Sequence, residues 1–505
     1  MNITNTIWRN CNAHPDRIAI LYEGQPVNYG ALRVAVERAS ARLAATGITR
    51  GDVVALSINS RLAYLIVLLA LARFGAVATP VSVGLSEKQR EELVAGARVH
   101  SIILDQDDGW RSNSSPVTRY LEAAALLAAP ADGERFDVPP VVQGLDEEPW
   151  LIALSSGTTG RPKRSPQPHG RGTMLASISP RPDQDDEGRV YVFVSLGIEY
   201  GITAAMRQLY RGGTTVLTQT SRPETFFVSV QRDQPTRVVT TTGSASSLVA
   251  YAKKSLSESP KICAGIKSIM VAGSFVSPAL REGIVNRICS RLEVDYGSTE
   301  SGSLAMSTPE TYALRPKSVG RLNAWVHAEA VDENDQPLPP GQSGLLRFKS
   351  PLVTKGYLDD EQATARAFRN GWFYPGDTGF VGAAGYLFLR GRVDHIVNLG
   401  GNKIDVRLIE QFLDDQPEII ESAVVPVNRG TGAQVLVAVV EARAPFDAEV
   451  LKRLCREHLG NVYVPDAIVK IDALPRNESG KVKRLALAAS IKFSADQAVS
   501  TERKE

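Results

Sequence analysis

Short apolar runs alternate with amphipathic helical segments from the start of the chain to about Met306, and this alternation constrains the fold more than any other feature. Runs such as Val53–Leu56, Thr214–Leu217 and Val238–Thr242 are rich in β-branched residues and have the length of buried strands. Between such runs, apolar residues recur at helical spacing, for example Leu32, Val36, Ala39 and Leu43. A strand–helix–strand order covers a mostly parallel sheet with helices. The chain is therefore predicted to have an α/β fold.

Two changes of pattern predict more than one domain. From Val319 to Leu389, short strands are broken by turn residues at 332–335, 339–341 and 382–385, which is typical of an antiparallel, barrel-like module. After Arg392, helices and strands alternate again over roughly 110 residues, the size of a separate α+β domain. A length of 505 residues also exceeds one ordinary domain. We predict an N-terminal domain at residues 1–391 and a C-terminal domain at 392–505.

Composition and charge exclude several classes of protein. The net charge of +2 predicts no general attraction to nucleic acid or to an anionic membrane. The most apolar stretch, Leu62–Ala72, is too short to cross a bilayer and is bracketed by Arg61 and Arg73, so we predict a buried helix. Residues 1–16 lack the pattern of a secretory signal. The cysteines form no C-x-x-C pair and no zinc-ligand cluster, which favours a cytoplasmic protein with reduced thiols. The oligomeric state stays open, a homodimer included.

One segment carries the strongest chemical signal. Residues 154–163 read Leu-Ser-Ser-Gly-Thr-Thr-Gly-Arg-Pro-Lys and follow an apolar run that begins at Trp150. Small residues allow backbone N–H groups to converge on an anion, while hydroxyl groups and a lysine add donors and positive charge. The spacing differs from that of a Walker A sequence. We predict a phosphate-binding loop formed by Ser155, Ser156, Gly157, Thr158, Thr159, Gly160 and Lys163.

This loop resembles the phosphate loop of the adenylate-forming superfamily, which includes acyl-CoA synthetases, nonribosomal peptide synthetase adenylation domains and firefly luciferase. Four further segments resemble motifs of that family in the same order: Tyr296–Glu300, Trp372–Asp377, Gly391–Ile404 and Leu474–Lys481. The resemblance extends over about residues 10–490. It implies a large N-terminal domain of two helix-covered, mostly parallel sheets with a small barrel-like module, followed by a smaller, mobile C-terminal α+β domain.

The motif at Tyr296–Glu300 predicts contacts to a nucleotide and to a metal ion. The hydroxyl of Thr299 is suited to donate to a phosphate, and the carboxylate of Glu300 is a hard oxygen ligand suited to Mg²⁺. The resemblance implies the same catalytic roles. It also implies that Tyr296 packs on the adenine face beside Gly297, a use that suits a flat aromatic ring.

The motifs nearer the end of the chain are assigned by the resemblance alone. It implies that Asp377 binds the ribose hydroxyls, that Arg392 contacts ribose or phosphate, and that Asp394 is the pivot of an interdomain hinge. It also implies that the backbone at Gly400–Gly401 approaches the arm that carries a thiol. Lys481 corresponds to the family's mobile lysine, whose charge would orient the carboxylate and the α-phosphate and offset the charge that develops between them.

The predicted acyl pocket departs from the family pattern. Relatives often read Pro-x-Phe-His before a glycine, whereas residues 195–201 are Ser-Leu-Gly-Ile-Glu-Tyr-Gly, which puts Ile198 at the histidine position. The adjacent Glu199 faces either a cationic or hydroxylated substrate or the solvent. The segment 240–247 is small and polar, which favours a small or medium polar or aromatic acid. Other residues assigned to the adenine and acyl pockets are Gly243, Gly273, Ser274 and Phe275.

Taken together, the motifs predict an ATP-dependent carboxylic acid:CoA ligase with ATP, Mg²⁺ and CoA as cofactors. Such an enzyme forms acyl-AMP and pyrophosphate, and then an acyl-CoA thioester. One alternative is a stand-alone adenylation enzyme that loads the phosphopantetheine arm of a carrier protein, although no carrier domain follows Lys481 here. A second alternative is a non-catalytic nucleotide-binding protein. It would be expected to lack Lys481, Glu300 or Asp377, and all three are present.

Overall fold

The computed structural model describes residues 1–113, 117, 119–130, 136–155, 163–178, 188–393, 396–399, 402–428, 434–476, 481–493 and 499–501. The packing of the chain divides it into two compact units. Unit 1 consists of Met1–His327 and Phe348–Phe373, and unit 2 consists of Ala328–Arg347 and Tyr374–Glu505. The boundary between residues 391 and 392 and the hinge at Asp394 stay predictions, and Asp394 lies outside the described residues.

The larger sheet of unit 1 contains nine strands. They are β1 (Ile18–Tyr22), β2 (Gln25–Asn28), β9 (Arg189–Phe193), β10 (Thr214–Leu217), β11 (Arg237–Thr241), β12 (Ser268–Ala272), β13 (Leu292–Ser298), β14 (Gly302–Ser307) and β15 (Arg321–Leu322). Their order is β15-β14-β13-β12-β11-β9-β10-β1-β2, parallel from β13 to β1 and antiparallel at both edges. Because parallel strands end at one edge of a sheet, the segments after β9, β11, β12 and β13 lie along the same edge. These segments carry the predicted acyl-pocket and adenine motifs.

The second sheet of unit 1 contains six strands in the order β6-β5-β3-β4-β7-β8. They are β3 (Val53–Ser57), β4 (Val77–Pro80), β5 (Val99–Leu104), β6 (Arg119–Glu122), β7 (Pro149–Ser155) and β8 (Lys163–Pro168). All neighbours pair in parallel except β7 and β8, which are antiparallel and flank the predicted phosphate loop. Two mostly parallel sheets with helices between the strands confirm the predicted α/β class.

The helices of unit 1 cover these sheets. They are α1 (Asn5–Ala13), α2 (Tyr29–Ala45), α3 (Arg61–Arg73), α4 (Glu87–Ala95), α5 (Ala123–Leu127), α6 (His169–Ser177), α7 (Glu199–Tyr210), α8 (Pro223–Asp233), α9 (Thr242–Ser255), α10 (Ser259–Ile262), α11 (Pro278–Arg287), α12 (Pro309–Leu314) and α13 (Glu361–Ala367). The predicted apolar helix is α3, which begins where the Ser60 side chain accepts a hydrogen bond from the amide of Ala63. It is buried on nearly all sides in a core that includes Leu56 of β3 and Val192 of β9.

Short antiparallel strands occupy the region between Val319 and Leu389, as predicted. In unit 1, β18 (Phe368–Arg369) pairs with β19 (Trp372–Phe373), and Phe373 pairs with Phe348. The strands of this region that lie wholly or partly in unit 2 are β16 (His327–Val331), β17 (Gly344–Lys349), β20 (Asp377–Val381) and β21 (Leu387–Arg392). Strand β20 pairs antiparallel with β21 and with the first residues of β17.

The rest of unit 2 is an α+β arrangement, as predicted. Its sheet joins β24 (Ile419–Asn428), β25 (Gln434–Ala442) and β26 (Ala467–Ile471), next to the hairpins β22 (Ile396–Leu399) with β23 (Asn402–Asp405) and β27 (Ile491–Phe493) with β28 (Val499–Thr501). The helices are α14 (Val406–Asp414), α15 (Ala448–Leu459) and α16 (Arg484–Ser490). Neighbouring residues of β24 face opposite sides of the sheet. Val424 packs with Leu451 of α15, whereas Val425 packs with Leu487 of α16.

The cysteines and the most apolar helix were also described by predictions from the sequence. All four cysteines are buried and none forms a disulfide, as the absence of paired spacing predicts. Among the helices of the described ranges, none has both the length and the apolar character that a membrane span requires.

Candidate active site

The turn that carries Thr299 and Glu300 begins at the end of β13. A Cβ at Gly297 would lie 2.0 Å from the carbonyl oxygen of Gly302, so only glycine permits this close approach of β13 and β14. The ring of Tyr296 lies 6.2 Å from that of Phe348. The predicted motif therefore forms a tight strand–turn–strand unit whose shape depends on its glycine.

Glu300 is held on both its backbone and its side chain. Its main-chain oxygen accepts a hydrogen bond from the amide of Thr354 at 2.8 Å. Its carboxylate oxygen Oε1 accepts one from the hydroxyl of Tyr357 at 2.9 Å. Only 6% of the residue is exposed. The carboxylate is thus fixed in one orientation by the segment that follows β17.

Lys163 is the first residue of β8 and pairs with Ser155 of β7. Its ammonium group lies 4.9 Å from the centre of the Tyr357 ring, within the range of a cation–π contact. Tyr357 therefore joins the lysine of the predicted phosphate loop to the carboxylate of Glu300. The loop residues Ser156, Gly157, Thr158, Thr159 and Gly160 and the side chain of Ser155 lie outside the described part of the chain.

The guanidinium of Arg171, on α6, holds the same turn from another side. Its Nη2 donates to the carbonyl oxygen of Thr299 at 3.0 Å, and its Nε donates to that of Leu352 at 2.5 Å. Nη1 donates to the side-chain oxygen of Gln167. Burial lowers the pKa of Arg171, and the neighbouring carboxylates of Glu199 and Glu300 oppose that shift. One buried cation thus holds the backbone of the residue before the predicted metal ligand and that of Leu352 in a second segment.

The predicted acyl-pocket residue Glu199 lies at the start of α7 and already has partners. Its Oε1 is 3.6 Å from Nη1 of Arg171 and accepts a hydrogen bond from the hydroxyl of Thr203 at 2.8 Å. Its side chain is 11% exposed. Ile198, the residue before the helix, packs against the main core of unit 1. Glu199 therefore belongs to the same buried network as Thr299, and it does not face open solvent.

The remaining pocket residues follow β11 and β12. The hydroxyl of Thr242 accepts a hydrogen bond from the amide of Ser274 at 3.3 Å, which ties this turn to the start of α9, where Gly243 stands. Gly273 has a φ of +106°, a conformation that favours glycine. The side chain of Phe275 is half exposed. Strands β11 and β12 pair in parallel, so the segments that follow them leave the sheet at the same edge, and the assignment of these residues to a pocket stays a prediction.

Asp295 precedes the motif and was not predicted from the sequence. Its Oδ1 accepts a hydrogen bond from the hydroxyl of Ser303 at 2.5 Å, and this hydroxyl accepts one from the amide of Asn323 at 2.8 Å. Burial raises the pKa of Asp295 to about 6. The carboxyl lines a small cavity together with Arg207 and Trp325. A titratable group therefore lies directly beside the nucleotide motif.

In unit 2, the predicted ribose ligand and its neighbour form an ion pair. Asp377 and Arg392 stand opposite each other on β20 and β21. Nη1 of Arg392 donates to Oδ1 of Asp377 at 2.8 Å, and Nη2 donates to the carbonyl oxygen of Pro375 at 2.7 Å. Asp377 is 6% exposed. The carboxylate therefore keeps a fixed position at the end of its strand.

Lys481 is exposed and directly precedes a bridge between Val482 and Arg476. The segment continues into α16, where Arg484 donates to both carboxylate oxygens of Glu410, at 2.6 and 2.7 Å. Glu410 lies on α14 and is 2% exposed. This ion pair fixes the chain three residues after Lys481. The predicted residues Asp394, Gly400 and Gly401 are outside the described ranges.

The sequence reasoning missed Arg171, Thr354 and Tyr357, although all three contact the predicted Thr299–Glu300 pair. One sequence feature could have indicated Arg171: it stands two residues after His169 in a stretch of small residues. If such a stretch is buried, the charge needs polar partners, because burying an unpaired charge is costly. The other two lie in a segment without a local pattern. Their role depends on a contact made across more than 50 positions of sequence, such as the 57 that separate Glu300 from Tyr357.

The residues fit a magnesium ion that enters with a nucleotide. In the described ranges, no group of three or more His, Cys, Asp and Glu side chains is placed to hold a metal ion. Mg²⁺ commonly binds through one or two carboxylates together with substrate phosphates. Glu300 supplies one oriented carboxylate, and no hydrogen bond from the described residues reaches its Oε2. A carboxylate that shares the contact of Tyr357 with a lysine fits that donor set.

The chain is similar to known proteins over most of its length. The family profile described as AMP-binding enzyme matches residues 7–358, and its C-terminal domain profile matches residues 408–481. A 2-succinylbenzoate–CoA ligase of Bacillus licheniformis is 25% identical over 96% of this chain and 99% of its own length. An indoleacetate–CoA ligase of Aromatoleum aromaticum is 28% identical over 96% of this chain and 97% of its own length.

Solved structures give the same fold. An O-succinylbenzoate coenzyme A synthetase from Bacillus subtilis, in complex with ATP and magnesium ion, matches with a TM-score of 0.83 and 24% identity over 96% of this chain and 99% of that protein. The predicted resemblance and the predicted α/β class are confirmed. The two profiles together span most of the sequence, and the chain belongs to the AMP-binding enzyme family, the adenylate-forming superfamily.

Proposed function

We propose that this protein is an ATP-dependent carboxylic acid:CoA ligase that forms AMP. In the first step, a carboxylate oxygen of the acid attacks the α-phosphorus of ATP, and pyrophosphate leaves. In the second step, a thiolate attacks the acyl carbon, and AMP leaves. Family membership supports the first step, and the names of the relatives, which are ligases of acids and CoA, support the second.

One observation carries the proposal: a buried carboxylate and a lysine share Tyr357 in unit 1. Glu300 offers an oxygen ligand for Mg²⁺, and Lys163 offers a positive charge to phosphate oxygens. When bound, Mg²⁺ neutralises phosphate charge and holds the leaving pyrophosphate. Arg171 holds the main chain of Thr299, the residue whose hydroxyl is proposed to contact a phosphate. Such preorganised charge is the main source of catalysis in phosphate chemistry.

Unit 2 supplies the remaining groups of the proposal. The carboxylate of Asp377 accepts hydrogen bonds from the two ribose hydroxyls, and Arg392 keeps it oriented. Lys481 binds the acid carboxylate and the α-phosphate during the first step. In the second step, the family's domain rotation about Asp394 withdraws the lysine, and the backbone at Gly400–Gly401 borders the channel for the thiol arm.

The acid is a small or medium polar or aromatic one. Residues of the proposed pocket include the small and polar start of α9 and the paired carboxylate of Glu199. Because Glu199 is already paired with Arg171, its charge is balanced before any substrate binds. This favours an acid that is neutral at the end remote from its carboxylate over a cationic one.

The test is a panel of carboxylic acids assayed for ATP-dependent pyrophosphate release, with and without CoA. We expect release with at least one polar or aromatic acid, and an acyl-CoA product when CoA is present. Pyrophosphate release followed by transfer only to the pantetheine arm of a carrier protein would assign the alternative acceptor. Binding of ATP with no pyrophosphate release across the panel would contradict the proposed activity.

A further inference from the structure

Tyr357 contacts two predicted active-site residues with two different parts of its side chain. Its hydroxyl donates to Oε1 of Glu300 at 2.9 Å, and the face of its ring lies 4.9 Å from the ammonium of Lys163. The two partners come from segments that lie far apart in sequence. Tyr357 is therefore the side chain through which the phosphate-loop lysine and the proposed metal ligand are connected.

The position of Tyr357 is itself fixed by its neighbours. Its amide donates to the hydroxyl of Thr364 at 2.9 Å, at the first turn of α13. Its ring packs edge-to-face with Phe368 at 5.5 Å. The preceding Gly356 has a φ of +155°, and a Cβ there would come within 2.6 Å of Thr364. A helix and an aromatic ring thus hold the tyrosine before any ligand binds.

The chemistry of the phenol suits both contacts. A hydroxyl that donates to one oxygen of a carboxylate stops its rotation and leaves the other oxygen for a cation. Such hydrogen bonds to charged groups are stronger than neutral ones. The negative face of the ring attracts an ammonium group and limits the conformations of a flexible lysine. Both effects reduce the ordering that a nucleotide with its metal would otherwise impose on these side chains.

We infer that Tyr357 is a positioning residue that orients Glu300 for Mg²⁺ and Lys163 for the phosphates of ATP. The inference rests on the proposed function for its ligands. It divides the side chain into two parts with separate effects. The hydroxyl governs the affinity for the metal, and the ring governs the affinity for the nucleotide.

The first experiment compares Tyr357→Phe with the matched control Tyr312→Phe, whose ring also lies under a cation, Arg281. Loss of one hydrogen bond to a charged group is worth about tenfold, so Tyr357→Phe should raise the half-saturating Mg²⁺ concentration for pyrophosphate release by about that factor. At saturating Mg²⁺, its KM for ATP should stay within about twofold of the wild type. The control should leave both values unchanged. Equal Mg²⁺ midpoints for the wild type and Tyr357→Phe would overturn the inference.

A second readout does not depend on turnover. Binding of Mn²⁺ to the protein with α,β-methylene-ATP, followed by electron paramagnetic resonance, should weaken in Tyr357→Phe by the same factor as the Mg²⁺ midpoint. If no acid supports pyrophosphate release, the proposed function fails, while this binding measurement still decides the role of Tyr357. Unchanged Mn²⁺ affinity would contradict that role.

Two more variants separate ring from hydroxyl and guard against misfolding. Tyr357→Leu should additionally raise the KM for ATP at saturating Mg²⁺, because Lys163 loses the ring. Thr364→Val keeps the tyrosine but removes the hydroxyl that holds its backbone, so it should shift the Mg²⁺ midpoint in the same direction by a smaller factor. If Tyr357→Phe fails to fold, an unchanged midpoint in Thr364→Val would overturn the inference.

Discussion

Two proposed catalytic residues of opposite charge are held in very different ways. Glu300 in unit 1 is buried, its main-chain oxygen accepts a hydrogen bond from Thr354, and its carboxylate accepts one from Tyr357. Arg171 holds the residue before it by a hydrogen bond to the carbonyl oxygen of Thr299. Lys481 in unit 2 is exposed, and the chain three residues after it is anchored by the ion pair of Arg484 with Glu410. The proposed metal ligand belongs to a buried, hydrogen-bonded turn, whereas the proposed mobile lysine is exposed.

This difference matches what each group has to do in the proposed reaction. A metal ligand serves in one geometry and gains from preorganisation. A lysine that acts in the first step and leaves before the second needs a well-anchored main chain and an ammonium group that can move. Each charge can therefore be tested in two ways: by removing the charged group and by loosening its support.

The largest effect is expected from Lys481→Ala. Loss of this charge should lower pyrophosphate release by about 10²- to 10³-fold, because in the proposed reaction Lys481 orients the carboxylate and the α-phosphate and offsets the charge that develops between them. The protein should still fold, since the side chain is exposed. Lys483→Ala, which removes another exposed lysine two residues later, is the matched control and should keep full activity. Retained adenylation in Lys481→Ala would contradict the proposed catalytic role of Lys481.

Arg171→Met tests the support of the rigid turn. It removes the donors to Thr299 and Leu352 and leaves Glu199 without its buried counter-charge. Losing one member of a buried pair costs about 3 kcal/mol of unfolding free energy, and displacing the turn should lower pyrophosphate release by about 10- to 100-fold.

Urea unfolding and the release assay measure these two effects. Arg171→Lys, which keeps the charge but cannot reach three acceptors together, should fall between the wild type and the methionine variant. A methionine variant with normal activity would show that the turn does not depend on α6.

Arg484→Met removes the ion pair that anchors the chain three residues after Lys481 and leaves the lysine itself unchanged. The bidentate pair with Glu410 would be lost, and pyrophosphate release should fall by about tenfold. Conversion of pre-formed acyl-AMP to the thioester should change little, because Lys481 is proposed to act only in the first step. Arg407→Met is the control, since Arg407 also contacts Glu410 but lies on the same helix. Equal losses in both variants would indicate general destabilisation of unit 2.

The smallest effect on catalysis is expected from Asp295→Asn, which probes the interior beside the rigid turn. The folded pKa of about 6 lies above the usual value, so the unfolded chain loses its proton first as pH rises. Stability should therefore fall between about pH 4 and pH 6, by on the order of 2 kcal/mol, and stay level above that range. The asparagine variant should lack this fall in urea unfolding. A difference between the two proteins that does not vary with pH would contradict the assignment.

The sequence predicted the elements better than the contacts between them. The apolar helix at Leu62–Ala72 and strands such as Val53–Leu56, Thr214–Leu217 and Val238–Thr242 follow from local sequence patterns, and the structure contains them with small shifts at the ends. The residue types Thr299 and Glu300 predicted phosphate and metal chemistry from their own functional groups. Their supports, Arg171 and Tyr357, could not be predicted, because their roles depend on which distant segments the fold brings together.

The proposed acyl pocket also depends on contacts between distant residues that the sequence could not predict. The sequence left Glu199 facing either a substrate or the solvent, because a charge at the start of a helix is common in both settings. The structure places it against Arg171 and Thr203, an arrangement that no local pattern indicates. Pairing between distant side chains is determined by tertiary packing, so it could not be predicted from local sequence patterns.

The central claim, activation of an acid by transfer to AMP, is tested most directly by isotope transfer. A substrate acid labelled with ¹⁸O in its carboxylate is converted in the presence of ATP and CoA, and the products are analysed by mass spectrometry. The carboxylate oxygen that attacks phosphorus leaves with the nucleotide when the thiol attacks carbon, so one ¹⁸O should appear in AMP. Label that stays out of AMP, or ADP in place of AMP as the nucleotide product, would contradict the account.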